Sequence, residues 1–241
     1  MQFHAVYLQR RQPGVSYRDF QRLWRSHGDF AASVPAFWDH VRQYVHNDPI
    51  EDATGLPGDT ARFDAVGELY YTDYETWLSI RDVMWNEIAP DEKRVFNGPS
   101  TAVRGARTVY REPKGLHKLF TFLAFRPELD AAARDAALEA HVQDMLATEG
   151  FGDRLDGFTV TRARAHDPSS GMDARPQTAS NRDVVMIQHF ADEATARAAM
   201  LSDAYGALTR AQDAFADPES RIAVLSHGWI LKDDQSVCSV R

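Results

Sequence analysis

The sequence predicts an α+β protein made of two successive copies of one β-α-β-β-α-β unit, residues 1–112 and 113–241. The first observation is that the order of strand and helix signals in the first half returns in the second half. The second is a set of matched spacings between marker residues of the two halves. The third is a polar linker at residues 111–115, which contains one Pro and one Gly.

The first half opens with a strand signal, in which Phe, Val and Tyr mix with polar residues, and Pro13-Gly14 then marks a loop. Ser16 is a favourable N-cap for the next helix, and Pro35 ends that helix. A loop rich in Asp, Gly and Pro separates the second and third strands. The predicted elements are strands at 3–10, 41–46, 63–71 and 103–110, helices at 16–34 and 74–88, and the loop at 47–62.

The second half repeats this order after the linker. Its predicted elements are strands at 116–125, 158–165, 184–190 and 222–231, helices at 130–148 and 193–215, and a loop at 166–182.

Four coincidences between the halves fall in register with the order of elements, which makes repetition a better explanation than two unrelated α+β domains. The separation along the chain is 11 positions from Ser16 to His27 and from Asp130 to His141, and 24 positions from Pro49 to Asp73 and from Pro168 to Asp192. It is 37 positions from Asp73 to Tyr110 and from Asp192 to Trp229. The fourth coincidence is the pair of similar runs His46-Asn47-Asp48-Pro49 and His166-Asp167-Pro168.

Each predicted sheet has both helices on one face, so its other face needs a cover. Exposure of this face to water is unfavourable, because the strands carry apolar residues such as Val6, Leu8, Val66 and Met186. We therefore expect the two sheets to pack against each other and their edges to pair. Space for a ligand would then lie within each half, between helices and sheet.

The composition excludes several classes of protein. A net charge of -8, from 27 basic and 35 acidic residues, argues against a nucleic-acid-binding surface. The single cysteine, Cys238, cannot form a disulfide framework or a cysteine-based metal site. With no apolar run of about 18 residues and no signal peptide pattern, we expect no membrane span and a cytoplasmic location.

Motifs for common cofactors are also lacking in the sequence. The nine histidines show no tight ligand spacing such as His-x-x-x-His, and no glycine-rich phosphate loop or Gly-x-Ser-x-Gly elbow occurs. We therefore predict neither a metal nor an organic cofactor.

The first half carries a characteristic set of residues in a fixed order, namely Arg10-Arg11, Pro13-Gly14-Val15-Ser16, Phe20, Leu23-Trp24, His27, Pro35, Tyr44-Val45 and 63–71. In these residues it resembles the EthD family of the dimeric α+β barrel superfamily, whose units have the ferredoxin-like β-α-β-β-α-β plan. The second half keeps the layout but few of the letters, with Leu138 in place of Trp24 and Ile187 in place of Glu68.

The resemblance implies two ferredoxin-like units packed sheet to sheet, as an intramolecular dimeric α+β barrel. It also implies cofactor-independent chemistry on a small molecule, as in lactone isomerases, polyketide cyclases, dehydratases or decarboxylases. Fold alone does not choose among these reactions.

His27 is the leading candidate for catalysis. Helical spacing places it on one face with Phe20, Trp24 and Ala31, so its ring points toward the sheet. An imidazole held neutral in such a place can act as a general base. The alternative is a core histidine with a backbone partner.

His141 holds the equivalent place in the second half, where it serves a second site or is a relic. Glu68 lies inside an apolar strand, so it needs a partner or becomes protonated. It could orient His27 or act as an acid. The alternative for Glu68 is a structural ion pair with Arg10 or Arg42.

Aromatic residues are predicted to shape the substrate pocket, although such residues are often plain core. Tyr44 is a further catalytic candidate, since a tyrosine hydroxyl could polarise a substrate carbonyl. Alternation along a strand lets only one of two adjacent tyrosines face the pocket. The residues expected to bind substrate are Tyr7, Trp24, Trp38, His46, Tyr70 and Tyr71.

The sequence thus favours an enzyme, a lyase or isomerase, that performs dehydration, cyclisation, isomerisation or decarboxylation on a hydrophobic aromatic or polyketide-like compound. One alternative is a cofactor-free monooxygenase. Another is a non-catalytic accessory protein that binds haem or a pathway intermediate. Fusion of two units removes the need to dimerise for barrel closure, and assembly into a homodimer stays open.

Overall fold

The computed structural model describes residues 2–50, 63–98, 100–165 and 182–234. Within these residues, eight antiparallel strands form a closed barrel with helices on its outside. The strands are β1 (Phe3–Gln9), β2 (Gln43–Pro49), β3 (Ala65–Tyr71), β4 (Thr101–Arg111), β5 (His117–Leu123), β6 (Gly157–Ala163), β7 (Val184–Phe190) and β8 (Ile222–Asp233). The helices are α1 (Tyr17–Ala32), α2 (Pro35–Trp38), α3 (Tyr74–Ser79), α4 (Arg81–Val83), α5 (Ala89–Val95), α6 (Ala131–Ala147), α7 (Glu193–Met200) and α8 (Asp203–Ala211).

The barrel consists of two four-stranded sheets joined at both edges. The strand order is β4-β1-β3-β2 in the first half and β8-β5-β7-β6 in the second. Two seams, β2 with β8 and β4 with β6, join the halves. Closure leaves the sheets without a long unpaired edge that could recruit another chain.

Strand alternation separates the residues inside the barrel from those facing the helices. The inner face carries apolar side chains from both halves, including Val6, Leu8 and Val66 as predicted. Met186, which was expected on that face, instead packs under the second-half helices, while its neighbours Val185 and Ile187 point inward. Because successive side chains of a strand point to opposite faces of the sheet, an error of one residue assigns a side chain to the wrong face.

α1 forms as the sequence predicts. The Ser16 side chain accepts a hydrogen bond from the Asp19 backbone N–H, 3.1 Å, and caps the helix. Phe20, Trp24 and His27 lie along the face that packs on the sheet. The helix ends at Ala32, and Pro35 then occupies the first position of the short helix α2.

The second helical segment of the first half differs from the single helix predicted over 74–88. It runs as α3, α4, a π-helical turn at Met84–Ile88 and then α5, so that helical structure continues to Val95. Pro90 lies near the start of α5, directly after the π-helical turn. Because the helical path is interrupted, one helical period does not describe the whole segment.

The corresponding segment of the second half is also broken. The predicted helix over 193–215 divides into α7 and α8, because Leu201 ends the first and Ser202 caps the second by accepting from the Tyr205 N–H. Asp192 caps α7 as Asp73 caps α3. These two aspartates are one of the marker pairs found in the sequence.

β2 is longer than predicted. Asn47 and Pro49, which were assigned to a loop, pair with Gly228 and Ser226 of β8 in the other half. A partner so distant in the chain leaves no local signal in the sequence. The similarity that begins at His166, and most of both long predicted loops, lie outside the described residues.

Candidate active site

A cavity of about 700 Å³ lies in the first half, between the outer face of its sheet and the helices. Strand residues form its floor, and α1 and the broken segment 74–96 form its walls. The cavity is lined by Ala5, Tyr7, Gln9, Gln12, His27, Ala31, Phe37, Tyr44, Leu69, Tyr71, Trp77, Arg81, Met84, Trp85, Ile88, Ala89, Pro90, Glu92, Lys93, Phe96, Gly98, Ser100 and Arg104.

His27 lines this cavity and is held by a carboxylate. Its Nδ1 lies 2.8 Å from Oδ2 of Asp91, and the ring is only 2 % exposed. Burial would raise the pKa of Asp91, but hydrogen bonds from Arg94 and His27 outweigh it and lower that pKa. An ionised Asp91 must accept the hydrogen bond, so Nδ1 donates it and Nε2 is the ring nitrogen left to exchange a proton with a ligand.

Two tyrosines meet on the floor of the cavity. The hydroxyls of Tyr7 and Tyr44 are 3.2 Å apart, and either can donate to the other. Burial raises the pKa of both phenols, so both stay protonated near neutral pH. Gly67 makes room for this arrangement, because a Cβ at that position would collide with the Tyr7 ring.

Tyr71 also lines the floor, and Tyr70 does not. Tyr71 faces the helices with a raised pKa, caused mainly by burial. Tyr70 points into the barrel, where its hydroxyl donates to Oε2 of Glu68 at 2.7 Å. Only one of the two adjacent tyrosines reaches the cavity, as alternation requires.

The charged residues of the lining are mostly cationic. Arg104 lies on the floor, opposite Ala5 in the β1–β4 pairing, and Arg81 and Lys93 lie toward the exposed rim. Glu92 is the acidic residue of the lining, and burial raises its pKa. Raising a carboxyl pKa favours the neutral form, so Glu92 balances the cations only in part.

Glu68 lies on the other side of the sheet from the cavity. Its Oε1 accepts from Lys118 Nζ at 2.6 Å and from Asn47 Nδ2 at 2.8 Å. The expected contact with His27 is therefore wrong, and the ion-pair partner is Lys118 rather than Arg10 or Arg42. Glu68 occupies an inward-pointing position of β3, whereas α1 packs on the outward face.

Three more residues expected to bind substrate lie beside the cavity and not in its lining. Trp24 is fully buried and stacks on His46 with ring centroids 4.0 Å apart. Arg25 Nη1 donates to Nδ1 of His46 at 2.9 Å. Trp38 contacts Tyr44 edge-on from behind. These residues therefore support the cavity wall and its floor.

His141 occupies a different environment in the second half. Its Nε2 lies 3.3 Å from Nε2 of Gln212, whereas His27 meets Asp91 through Nδ1. Burial lowers the pKa of His141 to about 4. The layer around it is filled by an apolar cluster that includes Met145, Phe151 and Phe215.

Sequence reasoning missed Asp91, Arg104 and Glu92. Asp91 and Glu92 follow Pro90, beyond the predicted end of the second helix, where the pattern gave no reason to continue. Arg104 was visible only as an outward position in a predicted strand. The one available signal was strand alternation, which places Arg104 on the same face as Ala102.

The described ranges contain neither a candidate metal cluster nor a candidate membrane span. Among those residues, no cluster of three His, Cys, Asp or Glu side chains could hold a metal ion. No helix in the same part of the chain has the length and apolar character needed to cross a bilayer.

Comparison with solved structures identifies the architecture. An anthrone oxidase-like protein superposes with a TM-score of 0.63 at 9% identity, over 97% of this chain and 94% of that one. A protein described as a monooxygenase from Lactobacillus acidophilus NCFM gives 0.52 at 10% identity, over 97% and 96%. Chlorite dismutase from Candidatus Nitrospira defluvii, in complex with imidazole, gives 0.51 at 9% identity, over 95% and 92%. At such identities the likeness concerns the fold alone.

Comparison of sequences identifies the first half. The chain has no significant match among curated proteins. The EthD domain family matches residues 12–100, a segment that contains His27, Asp91 and most of the cavity lining. Residues 12–100, in the first half of this closed α+β barrel, are therefore similar to the EthD domain family.

Proposed function

We propose that the chain is a cofactor-independent enzyme in which His27 removes a proton from an aromatic or polyketide-like carbonyl compound bound in the first-half cavity. The observation that carries the proposal is the 2.8 Å hydrogen bond between His27 Nδ1 and Asp91, on a cavity wall. A carboxylate in this place fixes the tautomer and stabilises the imidazolium that forms.

The size and lining of the cavity support a substrate of this class. About 700 Å³ lies within the range of pockets that enclose drug-sized ligands. Trp77, Trp85 and Phe37 supply aromatic walls. The Tyr7–Tyr44 pair supplies hydroxyl donors for a carbonyl oxygen. A flat, mainly apolar compound with one or two oxygens matches these surfaces.

The reaction class follows from what an oriented imidazole can do. His27 takes a proton from an acidic carbon or hydroxyl and returns it to another atom, which gives isomerisation, cyclisation or elimination. These are lyase and isomerase reactions. Reaction of the resulting carbanion with oxygen would make the enzyme a monooxygenase instead, and oxygen uptake during turnover separates that outcome.

We further propose that the halves, 1–112 and 113–241, are copies of one ferredoxin-like unit of which only the first is active. The identical strand orders and the matching caps Asp73 and Asp192 support the copying. The side-chain partner of His141 is the amide of Gln212 rather than a carboxylate, which supports loss of activity in the second half.

Proton abstraction can be tested before the substrate is known. In D₂O the wild-type protein is expected to speed the exchange of α-protons in 2-tetralone, an enolisable ketone fused to an aromatic ring, and NMR follows this exchange. The H27Q variant should lose about a hundredfold or more of this rate, the usual contribution of a general base. The matched H141Q variant should retain the wild-type rate. Equal exchange in wild type and H27Q would remove His27 from the mechanism.

A further inference from the structure

The cavity contains a second carboxyl group directly after the one that holds His27. Asp91 binds His27 Nδ1 at 2.8 Å, and Glu92, the next residue of α5, lines the cavity. The Cα atoms of adjacent residues are about 3.8 Å apart. One turn of α5 therefore supplies a carboxylate that holds the base and a second carboxyl group that faces the ligand space beside it.

The Glu92 carboxyl group is not used by the protein. Among the residues that the structure describes, burial and neighbouring charges act on its pKa, and no hydrogen bond does. Asp91, in contrast, accepts from His27 and pairs with Arg94. The Glu92 side chain is half-buried and lines the cavity, so its oxygens are available to a ligand.

The surroundings of Glu92 favour its protonated form. Burial raises the pKa of this carboxyl, and the charges of His27 and Arg104 oppose the rise only in part. The charged and titratable groups near it are His27 of α1, Asp91 of α5, Arg104 of β4, Tyr7 of β1, Tyr44 of β2 and Tyr71 of β3.

The three tyrosines near Glu92 are not suited to give up a proton. Burial is the main cause of their raised pKa values, and the Glu92 charge adds to each. A phenol with a raised pKa holds its proton near neutral pH, where a carboxyl group can release one. Of these four groups, Glu92 is therefore the acid.

We propose that Glu92 is a second catalytic residue, the general acid that gives its proton to the substrate carbonyl oxygen while His27 takes one from the neighbouring carbon. This rests on the proposed function in taking His27 as the base. The C–H bond breaks toward His27, an O–H bond forms from Glu92, and the product is a neutral enol with no change in oxidation state. The Arg104 charge stabilises the carboxylate that is left, and water carries the proton from His27 back to Glu92 between turnovers.

Exchange of the α-protons of 2-tetralone in D₂O, followed by NMR, tests this role. Glu92→Gln keeps the size of the side chain and removes its acidic proton, so exchange should slow about a hundredfold, the usual contribution of a general acid. The wild-type rate should fall on the alkaline side as Glu92 loses its proton, and this fall should be absent from Glu92→Gln. Glu92→Asp keeps an acid and should keep the alkaline fall.

Glu87→Gln is the matched control. Glu87 lies on the π-helical turn of the same cavity wall, but its side chain is exposed and outside the lining, so exchange should keep the wild-type rate. Urea unfolding of both variants verifies the fold. Full exchange in Glu92→Gln together with loss in His27→Gln would overturn this proposal and leave the proposed function standing. No exchange by the wild type would overturn both.

Infrared difference spectra detect the proton on Glu92 without any turnover. At about pH 5.5 an ordinary glutamate is mostly ionised, so the carbonyl band of a protonated carboxyl group marks a raised pKa. The band should be present in the wild type and in Glu87→Gln and should be lost in Glu92→Gln. Identical carbonyl bands in the wild type and Glu92→Gln would also overturn the proposal.

Discussion

The first helix of each half carries a buried histidine that faces its sheet, yet the two rings meet different partners. His27 binds the carboxylate of Asp91 and lines a cavity, whereas His141 meets the amide of Gln212 in a filled core. A carboxylate stabilises an imidazolium, and an amide does so far less. The chemistry of a histidine thus depends on the residue beside it. For His27 that residue is Asp91, which lies 64 positions further along the chain.

Asp91 is expected to act through His27 as a positioning residue. Asp91→Asn removes the charge but keeps the shape, and the amide can turn its N–H₂ toward Nδ1 and favour the wrong tautomer. We expect the exchange rate of 2-tetralone to fall about ten- to hundredfold, with a larger effect on kcat than on KM. NMR time courses of the exchange, recorded at several ketone concentrations, measure kcat and KM.

The control for Asp91 is a carboxylate of similar length outside the cavity. Asp203→Asn alters an exposed side chain of α8 in the second half and should leave both constants unchanged. An Asp91→Asn protein as active as wild type would show that His27 needs no carboxylate.

At the scale of elements, strands β1 and β3 shape the cavity floor together. Tyr7 on β1 is directly opposite Gly67 on β3, and its ring lies over the glycine. A side chain at position 67 would occupy the volume of that ring. Gly67 therefore provides the space that the Tyr7 ring occupies. It is not needed for an unusual backbone conformation, since its φ is negative.

Gly67→Ala tests this packing. The added methyl group must displace the Tyr7 ring, which we expect to lower the free energy of unfolding by about 1–3 kcal/mol, the usual effect of overpacking. Urea unfolding measures the change, and the exchange of 2-tetralone protons should slow because the Tyr7 hydroxyl moves. Neutral behaviour in both measurements would contradict the proposed fit.

A second glycine provides the matched control. Gly206 lies within α8, where an added Cβ would meet only the flexible end of Arg210, 3.5 Å away. Gly206→Ala should raise the free energy of unfolding by about 0.5–1 kcal/mol, because alanine favours a helix over glycine.

At the scale of the whole molecule, one buried ion pair crosses between the halves inside the barrel. Glu68 of β3 binds Lys118 of β5, and neither side chain is more than 4% exposed. Burial alone would raise the pKa of Glu68, but Lys118 and His4 hold it well below its usual range. Since an unpaired charge here would be costly, the pair favours this mutual arrangement of the halves.

Buried histidines from both halves should make stability depend on pH. Burial lowers the pKa of His4, His141 and His189 from 6.5 to about 4. Between these values the unfolded chain binds more protons than the folded one, so the free energy of unfolding falls as pH falls from 6.5 toward 4. Each ring contributes at most about 1.4 kcal/mol per pH unit.

Urea unfolding between pH 6.5 and about 5 measures this slope before most carboxylates titrate. His141→Leu should reduce the slope by up to about 1.4 kcal/mol per pH unit, since one titrating ring is gone. A stability that stays level or rises on acidification would contradict the lowered pKa values.

The sequence by itself determined the order of elements, the cap at Ser16 and the direction of His27. Ser16 caps α1, and the face of this helix is set by a local period. The spacing markers Asp73, Asp130 and Asp192 also cap helices. Tyr7, Tyr44 and Tyr71, which were proposed as pocket residues, line the cavity, and alternation along a strand is the local rule that sets their side.

Tertiary structure alone decided which charges meet. Asp91 reaches His27 only because α5 continues past Pro90 and packs on α1, and Lys118 reaches Glu68 only because the barrel closes. Such pairs join residues far apart in sequence, whose approach depends on the path of the whole chain. Periodicity fixes the face on which a side chain lies, and packing between elements fixes its partner.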